Sequence, residues 1–257
     1  MKIGVATDMG LIKALGGGVV DYAELNLTSI SGYTDEQIEN CISISENTGV
    51  TMEAAACFFP PTIKLCGSSY SLDVISEYSK NALCKAAKLG IHTCVLGSGG
   101  ARKIEEGADF DSCKSQFDEA VNAVGDIAKE FGTTIVIEPL NKGETNLINT
   151  VKEGAELCRR LNHPNVKLLA DFYHVALENE PYTNISENGD LLRHVHIAYP
   201  EGRLSPMPED NFDYAAVKRA LKDAEYNLRV SIESRIKTDF YEEVKKSATF
   251  LKELFSE

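Results

Sequence analysis

Four stretches of the chain each deliver one metal-capable side chain at the end of an apolar, strand-like run. Ile135-Val136-Ile137 leads to Glu138, with Pro139 directly behind it. Leu168-Leu169-Ala170 leads to Asp171, with His174 three residues on. Val195 leads to His196, and Val230-Ser231-Ile232 leads to Glu233. Three carboxylates and one imidazole form a mostly hard donor set. It suits one divalent ion, Mn²⁺ first and Mg²⁺ or Co²⁺ next, better than a structural zinc. Four protein ligands around an ion that takes about six donors leave about two positions for water or substrate oxygens. A lone Glu at a strand end is more often a solvated rim residue, and a lone His in a strand more often sits hydrogen-bonded in a core. Four such residues on consecutive strand ends read as one metal site.

The elements that must position them alternate along the whole chain. The patterns predict strands over residues 3–7, 22–27, 51–58, 92–96, 134–137, 166–170, 194–198 and 228–233. Helices are expected over 34–47, 72–89, 111–131, 150–161, 213–225 and 241–255, with a weakly patterned helical stretch before the seventh strand. Thr34 with the acidic pair after it is a start signal, and Gly49, Gly90 and Gly132 are stop signals. Strands alternating with helices imply parallel pairing through right-handed crossovers. Eight such units favour a closed (β/α)₈ barrel, the TIM-barrel architecture, with one domain over 1–257. The alternative is an open Rossmann-like sheet, but the first turn, Thr7-Asp8-Met9-Gly10, lacks the Gly-x-Gly-x-x-Gly phosphate pattern. In a barrel, Glu138, Asp171, His196 and Glu233 become neighbours around the rim where catalytic side chains collect.

The 257 residues, 43% of them apolar, are enough to bury such a core. A net charge of −13 argues against nucleic acid and against an anionic membrane surface. Seven scattered cysteines never form a Cys-x-x-Cys pair, and the chain runs from Met1 straight into a strand pattern with no signal peptide. No apolar run approaches the roughly 20 residues of a membrane helix. A cytoplasmic location is expected, with a homodimer or tetramer as the guess for assembly.

Ile137-Glu138-Pro139-Leu140-Asn141, Asp171-Phe172-Tyr173-His174, Val195-His196-Ile197-Ala198 and Ile232-Glu233-Ser234 together resemble the xylose isomerase-like TIM-barrel superfamily. The likeness is to its sugar-phosphate isomerase/epimerase branch, with the ketose 3-epimerases and hydroxypyruvate isomerases. It spans all eight units and is strongest after residue 134. It implies that Glu138, Asp171, His196 and Glu233 hold the metal, and that Glu138 and Glu233 also move protons. The substrate would be a small ketose or keto sugar, enolised through a metal-stabilised cis-enediolate. Two carboxylates on opposite sides of that planar intermediate invert a carbon, whereas one base shuttling between adjacent carbons interconverts aldose and ketose.

The same resemblance makes His174 and Glu144 substrate contacts. Arg203 would be a third, although it lies one residue further from His196 than the family pattern has it. His194 points inward like His196 but is expected to pack deeper, and Glu24 on the second strand is a weaker candidate near the pocket. Cys57, Phe58 and Phe59 form either an apolar wall or plain core. The loop Gly97-Ser98-Gly99-Gly100-Ala101-Arg102 reads as a flexible turn rather than an anion site for Arg102. Alternative activities are hydroxypyruvate isomerisation, or dehydration or keto-glycoside cleavage at the same metal. An endonuclease IV-type nuclease fits less well, because that chemistry needs several zinc ions and more than five His.

Overall fold

The computed structural model describes residues 1–256. Eight parallel strands close on themselves in chain order. They are β1 (Lys2–Ala6), β2 (Tyr22–Asn26), β3 (Thr51–Ala56), β4 (Thr93–Leu96), β5 (Thr134–Ile137), β6 (Val166–Asp171), β7 (Leu192–Ile197) and β8 (Arg229–Ile232). Between and after them come α1 (Met9–Leu15), α2 (Leu27–Ser31), α3 (Asp35–Thr48), α4 (Leu72–Lys88), α5 (Gly99–Arg102), α6 (Phe110–Glu130), α7 (Val151–Leu161), α8 (Phe172–Leu177), α9 (Thr183–Ser186), α10 (Tyr214–Asp223) and α11 (Phe240–Phe255). The expected (β/α)₈ barrel is therefore the observed fold.

Local chemistry explains the element ends. Thr34 and Thr150 each form a reciprocal capping box, with Gln37 and Glu153 respectively, satisfying backbone donors that helices α3 and α7 would otherwise leave open. The strands are buried on both faces, one against the helices and one inside the barrel, so they read as near-continuous apolar runs. Ala56, Val95, Val136 and Leu169 form a small inner cluster of their own. Near the base, Tyr22 lays its ring across the interior, where a Cβ on Gly4 would come within 2.3 Å of it. Only glycine at position 4 admits that ring. At the floor, Arg229 donates from Nη1 to Thr93 Oγ1 at 2.7 Å, tying β8 to β4 across the barrel.

Two expectations need correction. Strand β3 stops at Ala56 rather than at 58, because Cys57 takes a left-handed conformation (φ 56°) that an extended strand cannot continue. Residues 99–102 are a short helix rather than a flexible turn, and Arg102 is fully buried. Its Nη2 donates to the carbonyls of Glu138 (2.8 Å) and Ile148 (3.2 Å), and Nη1 to that of Leu96 (3.4 Å). The guanidinium thus clasps three backbone oxygens near the ends of β4 and β5.

Candidate active site

Glu138 follows β5, and both its backbone groups are held: the N–H donates to Leu96 O at 3.3 Å, and the carbonyl accepts from Arg102. Its carboxylate lies against Gly97, where a Cβ would fall 2.0 Å from Oε2. Asp171 ends β6 and divides its two oxygens. Oδ1 accepts the Tyr173 N–H at 2.9 Å and caps α8, leaving Oδ2 for the site. His196, fully buried on β7, places Nδ1 3.3 Å from Glu138 Oε1 and 3.0 Å from Glu233 Oε2. Glu233 follows β8, anchored by its N–H to Ile197 O at 3.2 Å. One ligand atom from each of the four lies within 4.8 Å of all the others.

The three expected substrate contacts gather at the same rim. His174 Nδ1 accepts from the Asn141 backbone N–H at 3.2 Å, which leaves the ring proton on Nε2. That Nε2 is buried, 3.4 Å from Asp171 Oδ2 and 4.0 Å from Glu138 Oε1, and makes no hydrogen bond. Glu144 accepts from Asn141 Nδ2 at 3.0 Å and lies 3.7 Å from Arg203 Nη1. Arg203 Nη2 donates to Asp171 Oδ2 at 3.2 Å and also to Glu233 Oε2, with the guanidinium 4.7 Å over the Tyr173 ring. Arg203 closes a 3₁₀ turn over Glu201–Arg203 in the loop after β7. There Gly202 and Arg203 are both left-handed (φ 77° and 56°), so the chain doubles back and Tyr199 and Leu204 exchange backbone hydrogen bonds.

Charge balance follows from these contacts. Burial opposes ionisation of Glu233, but His196 and Arg203 outweigh it and hold its carboxyl down at about 2. Burial raises Asp171, a shift only partly countered by His174 and Arg203. His196 is pushed well above the usual imidazole range, since Glu24 and Glu233 overcome the burial that would lower it. Cys57, across the pocket, is pushed up to about 11 by its surroundings and by Glu233, Glu138 and Glu24.

Sequence reasoning gave Glu24 too little weight and did not single out Asn141 as a site residue. Glu24 is fully buried and bridges the two inward histidines, with Oε1 2.9 Å from His196 Nε2 and Oε2 2.9 Å from His194 Nε2. The signal was there in the pairing of an inward Glu with His-x-His on another strand. The inward, deeper packing expected of His194 is what the structure has. Beside the centre lies a cavity of about 460 Å³, with Thr7, Asp8, Asn26, Cys57, Glu233 and Phe240 in its wall. A larger groove of about 730 Å³, between the loop after β7 and α11, contains none of the candidate residues.

These side chains fit a divalent ion on three observations. The donor set is hard and convergent, the buried His174 Nε2–H points toward it without a partner, and Gly97 leaves room for the Glu138 carboxylate. The sequence pattern of the xylose isomerase-like TIM barrel matches residues 10–254. The chain belongs to this family. Among its relatives, the D-psicose 3-epimerase of Agrobacterium fabrum is 24% identical over 239 residues, covering 85% of this chain and 76% of the relative. The 3-dehydro-D-guloside 4-epimerase of Escherichia coli is 28% identical over 131 residues, 51% of this chain and 49% of that one. A crystal structure of a D-psicose 3-epimerase in the presence of D-fructose superposes with a TM-score of 0.87 at 21% identity, covering 100% of each chain. That likeness concerns the fold. The xylose isomerase-like family thus contains sugar epimerases among the chain's relatives.

Proposed function

We propose that this protein is a divalent-metal-dependent sugar epimerase of the isomerase class, acting on a ketose or keto sugar by proton transfer beside a carbonyl. The observation that carries this reading is the convergence of Glu138 and Glu233, from β5 and β8, on the Nδ1 side of His196. In this reading Glu138, Asp171, His196 and Glu233 hold the ion, Mn²⁺ by preference. When bound, it supplies Lewis-acid stabilisation of charge developing on a sugar carbonyl and the neighbouring hydroxyl.

The chain's own groups do the rest. Glu233 is held ionised and accepts the proton on one face of the sugar carbon, and Glu138 returns one to the other face. The His174 Nε2–H donates to a substrate oxygen, and the Arg203 guanidinium offers further donors beside Glu144. Arg203 also balances the carboxylates, which burial would otherwise drive toward their protonated forms. The family relation to ketose 3-epimerases supports C3 as the reacting carbon. A keto-glycoside is the second reading, favoured by the relationship to a 3-dehydro-D-guloside 4-epimerase.

The test incubates the Mn²⁺-loaded protein in deuterated water with ketoses, hydroxypyruvate and 3-keto-glycosides, and reads deuterium by mass spectrometry and NMR. Label at C3 of a ketose together with its epimer is the expected result, lost in Glu138→Gln and Glu233→Gln. Label at C4 of a 3-keto-glycoside selects the second reading. No exchange with any of these compounds, or exchange undiminished in both variants, refutes the proposal.

A further inference from the structure

Glu24 lies on the Nε2 side of His196, away from the other three candidate ligands, beside a bulge in β3. The register between β2 and β3 shifts between Ala23 and Glu24, so the pairing runs Ala23 with Met52 and then Glu24 with Ala54. The residue passed over is Glu53 of β3, and bulges of this kind are common beside functional sites. Here it accompanies a carboxylate turned into the barrel. Burying an ionised carboxylate is costly unless each oxygen finds a strong partner. Both do. One oxygen lies 2.9 Å from His196 Nε2 and the other 2.9 Å from His194 Nε2, and the two imidazoles stand nearly perpendicular, at 82° with centroids 5.0 Å apart.

This geometry decides which nitrogen of His196 can bind a metal. A carboxylate accepts hydrogen bonds and cannot donate, so the His196 proton facing Glu24 must be on Nε2. Nδ1 faces the Glu138 and Glu233 carboxylates, where the ligand atoms converge, so a bound ion would take the place of the Nδ1 proton while the Nε2–H stays on Glu24. Carboxylates behind ligating histidines elsewhere fix the tautomer and the ring orientation and raise ligand basicity. Below Glu24 the chain of contacts continues from His194 Nε2 to Ser231 Oγ (3.4 Å) and on to Tyr22 Oη (2.7 Å), pinned under Gly4.

We propose that Glu24 is a positioning residue of the metal centre, holding His196 with Nδ1 toward the ion while His194 buttresses the other carboxylate oxygen. The inference rests on the metal-site reading above. It assigns a role to a residue on β2, which is separated by β1 from β8, the nearest strand that leads to a candidate ligand.

The test is titration of the metal-free protein with Mn²⁺ in the absence of any sugar, with free Mn²⁺ read from its electron paramagnetic resonance signal. Glu24→Ala is expected to weaken binding about 10- to 100-fold. Glu24→Gln should restore most of that loss. Its amide oxygen still accepts from His196, and its amide N–H can meet His194, whose Nδ1 has no partner and is free to take the proton. Tyr22→Phe cuts the chain of contacts two links away and should leave Mn²⁺ binding unchanged. Binding by Glu24→Ala within threefold of wild type, or an equal loss in Tyr22→Phe, overturns the positioning role. A wild-type chain that binds no Mn²⁺ refutes the metal reading itself and this inference with it. An independent check needs no variant. In the Mg²⁺-loaded protein, long-range ¹H–¹⁵N correlations should place the His196 proton on Nε2, and a proton on Nδ1 would overturn the proposal.

Discussion

Gly97→Ala isolates the placement of one carboxylate. No positive φ constrains Gly97, so alanine is compatible with the backbone there, and the change in overall stability should stay near 1 kcal/mol or below. For a domain of this size that is a shift of about 2–4 °C in Tm. The added methyl, however, would fall 2.0 Å from Glu138 Oε2, whereas ordinary contact begins at 3.4 Å. Since Arg102 and Leu96 O hold the Glu138 backbone at both its carbonyl and its N–H, the carboxylate itself has to yield by roughly 1.4 Å. A misplacement of about 1 Å at a reacting group lowers rates about 100-fold. Deuterium exchange into the substrate should therefore fall about 100-fold or more, and Mn²⁺ affinity should drop with it, while thermal unfolding barely moves. If Gly97→Ala keeps exchange and Mn²⁺ affinity within threefold of wild type, Glu138 has no positional role in the chemistry.

Ion binding at His196 Nδ1 competes with a proton that Glu24 and Glu233 hold strongly. Mn²⁺ affinity should therefore rise about tenfold per pH unit below the raised His196 pKa, as followed by calorimetry. In the metal-free protein, the His196 contribution to stability is complete below its unfolded value of about 6.5 and fades as pH rises through its raised folded value. The Glu233 contribution is complete above about 4.3 and is lost as pH falls toward about 2, so urea unfolding of wild type and His196→Gln should differ most between about pH 4.3 and 6.5. Arg102→Met strands the Glu138 and Ile148 carbonyls but relieves a buried charge, and a loss of about 2–4 kcal/mol is expected by chemical unfolding; under 1 kcal/mol would contradict the clasp. Cys57, pushed up to about 11, should alkylate roughly 100-fold more slowly at pH 8 than an ordinary thiol, and faster once Mn²⁺ neutralises Glu138 and Glu233.

The barrel was readable because its strands are short apolar runs and its helices carry caps and glycine stops, and both signals are local. Glu138, Asp171, His196 and Glu233 could be grouped because in a parallel barrel consecutive strands are neighbours, so order along the chain becomes order around the rim. Glu24 escaped that logic. It lies on β2, and its contact with His196 crosses the barrel interior, a relation that chain order does not encode. Arg102 misled in another way. A glycine-rich segment at the active rim looks mobile, and only the carbonyls of Leu96, Glu138 and Ile148, brought together in space, explain an arginine turned inward. The short helices α1 and α2 were missed because each is too brief to show a full apolar stripe. Their caps, Asp8 and Asn26, look like ordinary loop residues in sequence.

The clasp at Arg102 gives the mouth of the barrel two unlike sides. On the β4–β5 side, one guanidinium locks the backbone behind Glu138, and that wall works as an anvil. On the opposite side, Arg203 rides on a doubled-back loop held by the Tyr199–Leu204 backbone exchange, and Asp8, Asn26 and Phe240 come from separate segments beside the cavity. New substrates should therefore be won on that second side at wall residues such as Phe240, which hold neither a helix end nor the Asp171 and Glu233 carboxylates. A change to the anvil would move the carboxylate before it moved the sugar.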